Sequence, residues 1–153
     1  MLKKIILGLV VIFVVLQFIR PAKNISLSPP AREDFLVAHP APPELRHLIQ
    51  VACYDCHSNN TRYPWYAEIQ PVGWWLANHV DEGVDHLDLS HFGDYSEKKQ
   101  GYRLDAMIDE ITDRSMPLKS YTWIHRDARL SADQVKRLAD WLQAERDKLP
   151  ADE

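Results

Sequence analysis

Both cysteines of the chain lie in one short stretch, CYDCH at residues 53–57, with a histidine directly after the second thiol. A C-x-x-C pair alone is compatible with a disulfide, a thioredoxin-like redox pair, half of a zinc site or a thioether attachment for haem. The haem interpretation explains all three residues. Cys53 and Cys56 add across two vinyl groups, and His57 reaches the iron from the same turn. We therefore predict one covalent haem c.

The competing interpretations each lack a companion feature. A thioredoxin-like pair belongs in a βαβ setting, whereas this chain has helical patterns only. A disulfide across two intervening residues closes too small a loop to stabilise much. Zinc requires two further ligands, which His79, His86 or His91 could supply, but only the weakly matching spacing of His86 and His91 suggests a pair. A zinc-stabilised interaction module therefore stays open as an alternative.

The second axial ligand of the iron decides what the haem can do. Met116 is the candidate, because it lies in a short polar loop after a helix and precedes Pro117, which stiffens the backbone. Met107 lies on an apolar stripe and is interpreted as core. His79 is the alternative distal ligand and would give a bis-histidine haem. The other histidines are interpreted as surface or hydrogen-bonded residues: His39, His47, His86, His91 and His125.

A supporting shell is also expected around the haem. A ligating histidine normally donates its second ring N–H to a carbonyl, and Pro64 or Pro71 could supply that carbonyl. Arg62 and the indole groups of Trp74 and Trp75 could hold the haem propionates. The tryptophans serve equally well as core packing.

Four helices that could position these residues are readable from the sequence. Pro43 begins one that runs into Cys53, and Pro71 opens a second with an apolar stripe. Ser96 caps a third, and Ser131 with Gln134 forms a capping box for the last. No stretch alternates long enough to be a strand, so the predicted class is all-α.

The N-terminus predicts a membrane anchor at residues 1–20. Two lysines precede an apolar run of 15 residues, Ile5 to Ile19, interrupted only by Gln17. This run is shorter than the 18–20 residues of a full span, but no small-x-small cleavage site follows it. We expect an uncleaved signal-anchor, with a cleaved signal peptide as the alternative. Residues 21–42 hold five prolines and predict an extended linker, and residues 43–153 form the domain.

Charge restricts the function classes. The chain has 18 basic and 22 acidic residues, and Lys3, Lys4 and Arg20 lie in the predicted anchor. The remainder is acidic, which argues against nucleic-acid binding. No nucleophile–base pair or paired carboxylates indicate hydrolysis, so an electron carrier is favoured over an enzyme. Covalent haem c is assembled outside the bacterial cytoplasmic membrane, which predicts a single-pass inner-membrane protein with a periplasmic domain.

Several motifs resemble the bacterial haem-binding domain family of small, membrane-anchored c-type cytochromes. These are the CYDCHSN start, the YPWY segment, the PVGW helix, the Met116-Pro117 step and the LSAD helix start. The resemblance spans roughly residues 43–142 and implies a covalent haem on an all-helical, cytochrome c-like domain. The family usually has Gly-Glu or similar before Met-Pro, where this chain has Arg114-Ser115.

Together these features predict outer-sphere electron transfer with redox partner proteins at the membrane surface. Coordination by His57 and Met116 saturates the iron, and a thioether ligand raises its reduction potential. The alternative from a different class is a haem sensor or peroxidase-like enzyme, in which the sixth position is open or labile.

Overall fold

The computed structural model describes residues 1–150, and this part of the chain is helical, as predicted. An isolated bridge between Ile25 and Asn60 is the one β-type pairing in this range, and no strand forms there. The helices are α1 (Leu2–Leu16), α2 (Phe35–Ala38), α3 (Pro43–Ala52), α4 (Tyr54–His57), α5 (Val72–His86), α6 (Glu97–Thr112), α7 (Lys119–Ile124) and α8 (Ala132–Arg146). Short 3₁₀ turns lie at Trp65–Glu68, Phe92–Asp94 and Arg126–Ala128.

The four predicted helices are confirmed as α3, α5, α6 and α8. Their start signals act as expected: Pro43 occupies the first turn of α3, and the Ser96 hydroxyl accepts a hydrogen bond from Lys99 N at 3.3 Å. At α8, Ser131 Oγ accepts from Gln134 N at 3.1 Å, and Gln134 Oε1 accepts from Ser131 N at 2.8 Å. This reciprocal pair is the predicted capping box.

The hydrophobic core lies where α3, α6 and α8 meet. Ile49 of α3, Leu104 of α6 and Leu142 of α8 have no exposed surface. Met107 is buried in this core, as its position on the apolar stripe predicted. Trp141 packs its ring edge-on against Phe35 at 5.9 Å between centroids. Cys53 and Tyr54, in the turn that carries both cysteines, pack partly buried against this core.

Part of the segment predicted as a linker, residues 21–42, packs against the domain. Phe35 and Leu36 are buried in the core, with Phe35 fully inaccessible. Asn24 is fixed to the loop after the cysteines, because its side chain donates to Ser58 O at 2.6 Å and its carbonyl accepts from Thr61 N at 2.9 Å. Two large apolar side chains gain enough from burial to hold a proline-rich segment against the domain.

Helix α1 projects from the domain, and none of its residues is buried. No helix within residues 1–150 reaches the length and hydropathy that crossing a membrane demands. The end of α1 is hydrogen-bonded to the domain through Gln17. Its side chain accepts from Gln70 N at 2.9 Å and donates to Gln70 O at 3.2 Å. The one polar residue of the apolar run thus joins α1 to the segment before α5.

Candidate functional site

The two cysteines and His57 lie on a single tight turn between α3 and α5. Cys53 ends α3, and α4 carries Cys56 and His57. Both cysteines are free thiols, so the disulfide alternative is not realised here. Burial raises the pKa of Cys53 to about 12 and that of Cys56 to about 11, with the mutual proximity of the two sulfurs adding to the shift at Cys53. Both groups are therefore protonated thiols at neutral pH.

His57 is held in one orientation by two backbone carbonyls, one within α5 and one directly after it. Its Nδ1 lies 2.7 Å from Gly83 O and 3.1 Å from Leu87 O. A carbonyl can only accept, so Nδ1 carries the proton and Nε2 keeps a free lone pair. Burial lowers the pKa of His57, which keeps the ring neutral and able to ligate a metal. The prediction that Pro64 or Pro71 supplies this carbonyl is wrong.

Gly83 permits the close approach of α5 to the cysteine turn. A Cβ at this position would overlap the carbonyl oxygen of Cys56 and lie 3.0 Å from its carbonyl carbon. The same glycine supplies the carbonyl for His57. Sequence reasoning missed this residue, because its contribution comes from the backbone and from the absence of a side chain.

An apolar cavity of about 330 Å³ opens beside His57, between α3, α6 and α8. Cys53 and His57 line one part of it, and Met116 with Pro117 lines another. The three helices supply most of the remaining lining, which includes the core residues Ile49, Met107, Ile111, Leu138 and Leu142. The predicted proximal ligand and the predicted distal ligand thus line one largely apolar cavity.

Met116 is positioned by the way α6 ends. Ser115 N donates to Glu110 O at 3.0 Å and Arg114 N to Ile111 O at 3.3 Å, the two hydrogen bonds of a Schellman motif. Arg114 adopts φ 61°, the left-handed region that favours glycine. The guanidinium of Arg114 donates to Leu130 O at 2.7 Å. The turn delivers Met116 to the cavity immediately after the helix.

A second apolar cavity, of about 310 Å³, lies on the side of Cys56. His79 lines this cavity together with Trp75 and Tyr121, and it does not line the one shared by His57 and Met116. Its Nδ1 lies 2.9 Å from Trp75 O, and its ring packs 4.2 Å from the Trp75 ring. The structure thus brings His57 and Met116 together and places the alternative ligand elsewhere.

Asp55, between the two cysteines, is a buried anion that ties three segments together. Its carboxylate accepts from Arg62 Nε at 3.0 Å and from an Arg62 terminal nitrogen at 3.1 Å. The hydroxyl of Tyr121 on α7 donates to the same carboxylate at 2.7 Å. The segment that follows Met116 is thereby bound to the cysteine turn. An aspartate in the variable part of C-x-x-C gave no sequence signal for this role.

Comparison with known proteins identifies the family. The model of a haem-binding domain family matches residues 11–144, most of the chain. The chain belongs to the haem-binding domain family. No curated protein and no solved structure matches it. The family assignment supports haem as the cofactor and agrees with the all-helical fold.

The residues of this haem-binding domain fit a haem. A thiol, a neutral histidine with its Nε2 free and a thioether sulfur face the same apolar cavity, and the second thiol is one turn of chain away. Zinc fits less well, because no group of three or more His, Cys, Asp or Glu side chains within residues 1–150 is arranged to hold a metal ion.

The remaining histidines of the haem-binding domain mostly have other partners. His39 pairs with Glu145 at 2.9 Å, His91 with Asp88 at 2.7 Å, and His125 bonds Tyr66 at 2.7 Å. His47 is exposed. His86 is exposed as predicted, yet it also lines the cavity of His57 and Met116.

Proposed function

We propose that this haem-binding domain is a monohaem electron carrier of the c type. Cys53 and Cys56 would hold the haem through thioether bonds, with His57 and Met116 as axial ligands. The observation that carries the proposal is that an oriented, neutral His57 and the loop residue Met116 line one apolar cavity. Such a pair saturates the iron and leaves no position for oxygen or peroxide.

The residues around the proposed haem favour electron transfer over catalysis that makes or breaks covalent bonds in a substrate. When bound, haem supplies a one-electron ferric–ferrous couple. The carbonyls of Gly83 and Leu87 fix the ring of His57 and raise its basicity as a ligand. The lining around Met116 is largely apolar, and burial of the haem together with a thioether ligand would favour the reduced state and raise the potential.

Attachment to a membrane is the second part of the proposal. The apolar side chains of α1 are exposed around the helix, for example Ile5 at 56% and Phe13 at 48%. An isolated helix that is apolar on all sides is stable in water only if something covers it, and a bilayer would do so. Because covalent haem c is assembled outside the bacterial cytoplasmic membrane, we place the domain in the periplasm, where redox proteins of the same membrane are its partners.

The ferric absorption spectrum tests the ligand assignment. The full chain is produced together with a cytochrome c maturation system, and its long-wavelength sulfur-to-iron charge-transfer band is recorded. We expect the band in the wild type and in His79→Ala, and its loss in Met116→Ala. Extraction with acidified acetone should leave haem on the wild type, while Cys53→Ser with Cys56→Ser should release it.

Other spectra would favour other functions. A high-spin ferric spectrum and ready binding of carbon monoxide by the wild type would overturn the carrier and support the sensor or peroxidase-like alternative. A low-spin spectrum that is unchanged in Met116→Ala and altered in His79→Ala would replace Met116 by His79. A colourless chain with stoichiometric zinc would overturn haem binding itself.

A further inference from the structure

Arg103 brings a permanent positive charge to the wall of the His57–Met116 cavity. It lies on α6 at the spacing of one helix face with Ala106, Met107 and Glu110, and all four line the cavity. Among the described residues that line this cavity, Arg103 is the one lysine or arginine. A guanidinium beside a largely apolar cavity requires a physical reason, because desolvating a charge is costly.

One nitrogen of the Arg103 guanidinium, the Nε, is buried without a hydrogen-bond partner among the described residues. The positions three and four residues away on α6 are Lys99, Gln100, Ala106 and Met107, so no carboxylate is placed for an intrahelical ion pair. Buried polar atoms are nearly always hydrogen-bonded in native proteins, so an unpaired Nε marks a place for an absent acceptor.

The nearest acid along α6 is already engaged. Asp105 accepts from Arg146 Nε at 3.1 Å, and the Arg146 guanidinium packs over Gly101. Glu110 lies two turns further along the helix, about 10 Å away along its axis. The chain therefore provides no close carboxylate for Arg103 from its own helix.

We propose that Arg103 binds a carboxylate of a haem propionate. The inference rests on the proposed placement of haem between His57 and Met116, because a haem there brings two carboxylates to the cavity that Arg103 lines. Arginine pairs with carboxylates through two parallel N–H···O bonds, and such a pair would use the buried Nε. Arg103 is a positioning residue, because it holds the edge of the haem and does not touch the iron.

The propionate partners predicted from the sequence are used elsewhere. Both bonding nitrogens of Arg62 face Asp55, at 3.0 and 3.1 Å. The indole Nε1 of Trp74 donates to Ile19 O at 2.7 Å, at the end of α1. Trp75 lines the second cavity and packs on His79. None of these three residues lines the cavity of His57 and Met116, which leaves Arg103 as the cation at the haem's own cavity.

The test compares Arg103→Gln with Arg103→Lys and with Lys98→Gln, which removes an exposed cation from the same helix. The holoprotein carries haem labelled with ¹³C at the propionate carboxyls. We expect Arg103→Gln to shift the carboxylate bands in the infrared difference spectrum between oxidised and reduced protein. Without the arginine, the negative charge of the propionate is no longer compensated and should favour ferric iron. The equilibrium constant for reduction of the haem should therefore fall roughly three- to tenfold. A tenfold change corresponds to about 59 mV for one electron.

The controls separate binding from a structural role. Arg103→Lys keeps the charge and loses the paired geometry, so its infrared bands should shift while its potential stays near that of the wild type. Lys98→Gln should change neither. Unchanged propionate bands in Arg103→Gln, or in Arg103→Lys if the glutamine variant does not fold, would overturn the proposal. Because the absorption spectrum reports the ligands of the iron separately, this result can be distinguished from failure of the His57–Met116 assignment.

Discussion

At the scale of single residues, the site depends on a backbone contact as much as on its ligands. Gly83 is 26 residues after His57 in the chain, yet its carbonyl accepts the His57 Nδ1–H at 2.7 Å. The approach that makes this bond possible leaves no room for a Cβ between α5 and the carbonyl of Cys56. The orientation of His57 and the packing of the cysteine turn therefore both depend on Gly83.

Replacing Gly83 by alanine is expected to damage the site and the fold together. The added methyl group must move α5 away from Cys56, which should cost about 1–3 kcal/mol of unfolding free energy and weaken the bond to His57. Thermal unfolding measures the loss of unfolding free energy, and the Soret band of the holoprotein reports the weakened bond to His57.

Gly73→Ala is the matched control for this change. A Cβ there overlaps the carbonyl oxygen of Ala67, an equally close backbone approach on the same helix but away from the cysteines. It should lower the melting temperature and leave the Soret band unchanged. Equal Soret spectra in both variants and the wild type would contradict the role given to Gly83.

The proposed ligands follow from the sequence, whereas the groups that support them do not. Cys53, Cys56 and His57 follow from residue types at a fixed spacing, and Met116 from a methionine before a proline after a helix. The carbonyl partner of His57 could not be chosen this way, because every residue has a carbonyl and only the packing of α5 selects Gly83 and Leu87. The unpaired Nε of Arg103 likewise depends on which side chains surround it.

At the scale of elements, α7 closes the site after Met116. Its Tyr121 hydroxyl lies 2.7 Å from the Asp55 carboxylate and 3.1 Å from Val51 O, so α7 is bonded both to the cysteine turn and to α3. Burial and the bond to Asp55 raise the pKa of Tyr121, which keeps the hydroxyl protonated as a donor. The Met116 segment is thus held at both ends, by the turn that ends α6 and by α7.

We expect Tyr121→Phe to loosen Met116. The change leaves the buried Asp55 carboxylate one donor short, which should cost about 1–3 kcal/mol. On heating ferric holoprotein, the sulfur-to-iron band should vanish at a lower temperature than in the wild type, and before global unfolding measured by circular dichroism. Tyr102→Phe, an exposed tyrosine on α6, is the control and should match the wild type. If Tyr121→Phe lost the sulfur-to-iron band and its fold together, at the temperature at which the wild type unfolds, the role of Tyr121 in holding the Met116 segment would be refuted.

The length of a helix determined whether it could be predicted from the sequence. Helices α3, α5, α6 and α8 are 10 to 16 residues long and repeat their apolar stripe over several turns. Helices α2, α4 and α7 have four to six residues, too few for a period of 3.6 to be seen. They persist because of tertiary contacts, such as the burial of Phe35 and the bond of Tyr121 to Asp55.

At the scale of the whole molecule, α1 and the domain meet at one defined junction. Gln17 bonds the backbone of Gln70 in both directions, and Trp74 donates to Ile19 O. Glu68 pairs with Arg20 at 2.6 Å and also with Lys23. These ion pairs are exposed and contribute little on their own. The hydrogen bonds of the Gln17 side-chain amide and of the Trp74 indole give the junction a fixed geometry. A bilayer that takes up α1 would therefore hold the domain close to its surface.

The last prediction concerns a chain that lacks residues 2–16. None of the side chains of α1 is buried, so the deletion should leave the core, the haem spectrum and the melting temperature of the domain unchanged. In flotation with phosphatidylcholine–phosphatidylglycerol vesicles, the full chain should rise with the lipid and the deleted chain should stay below. Gln17→Ala in the full chain is the control for the junction and should still float, because it leaves the apolar surface of α1 intact. Full-length protein that stays below would exclude α1 as a membrane attachment without affecting the assignment of the haem ligands, since the two depend on separate parts of the chain.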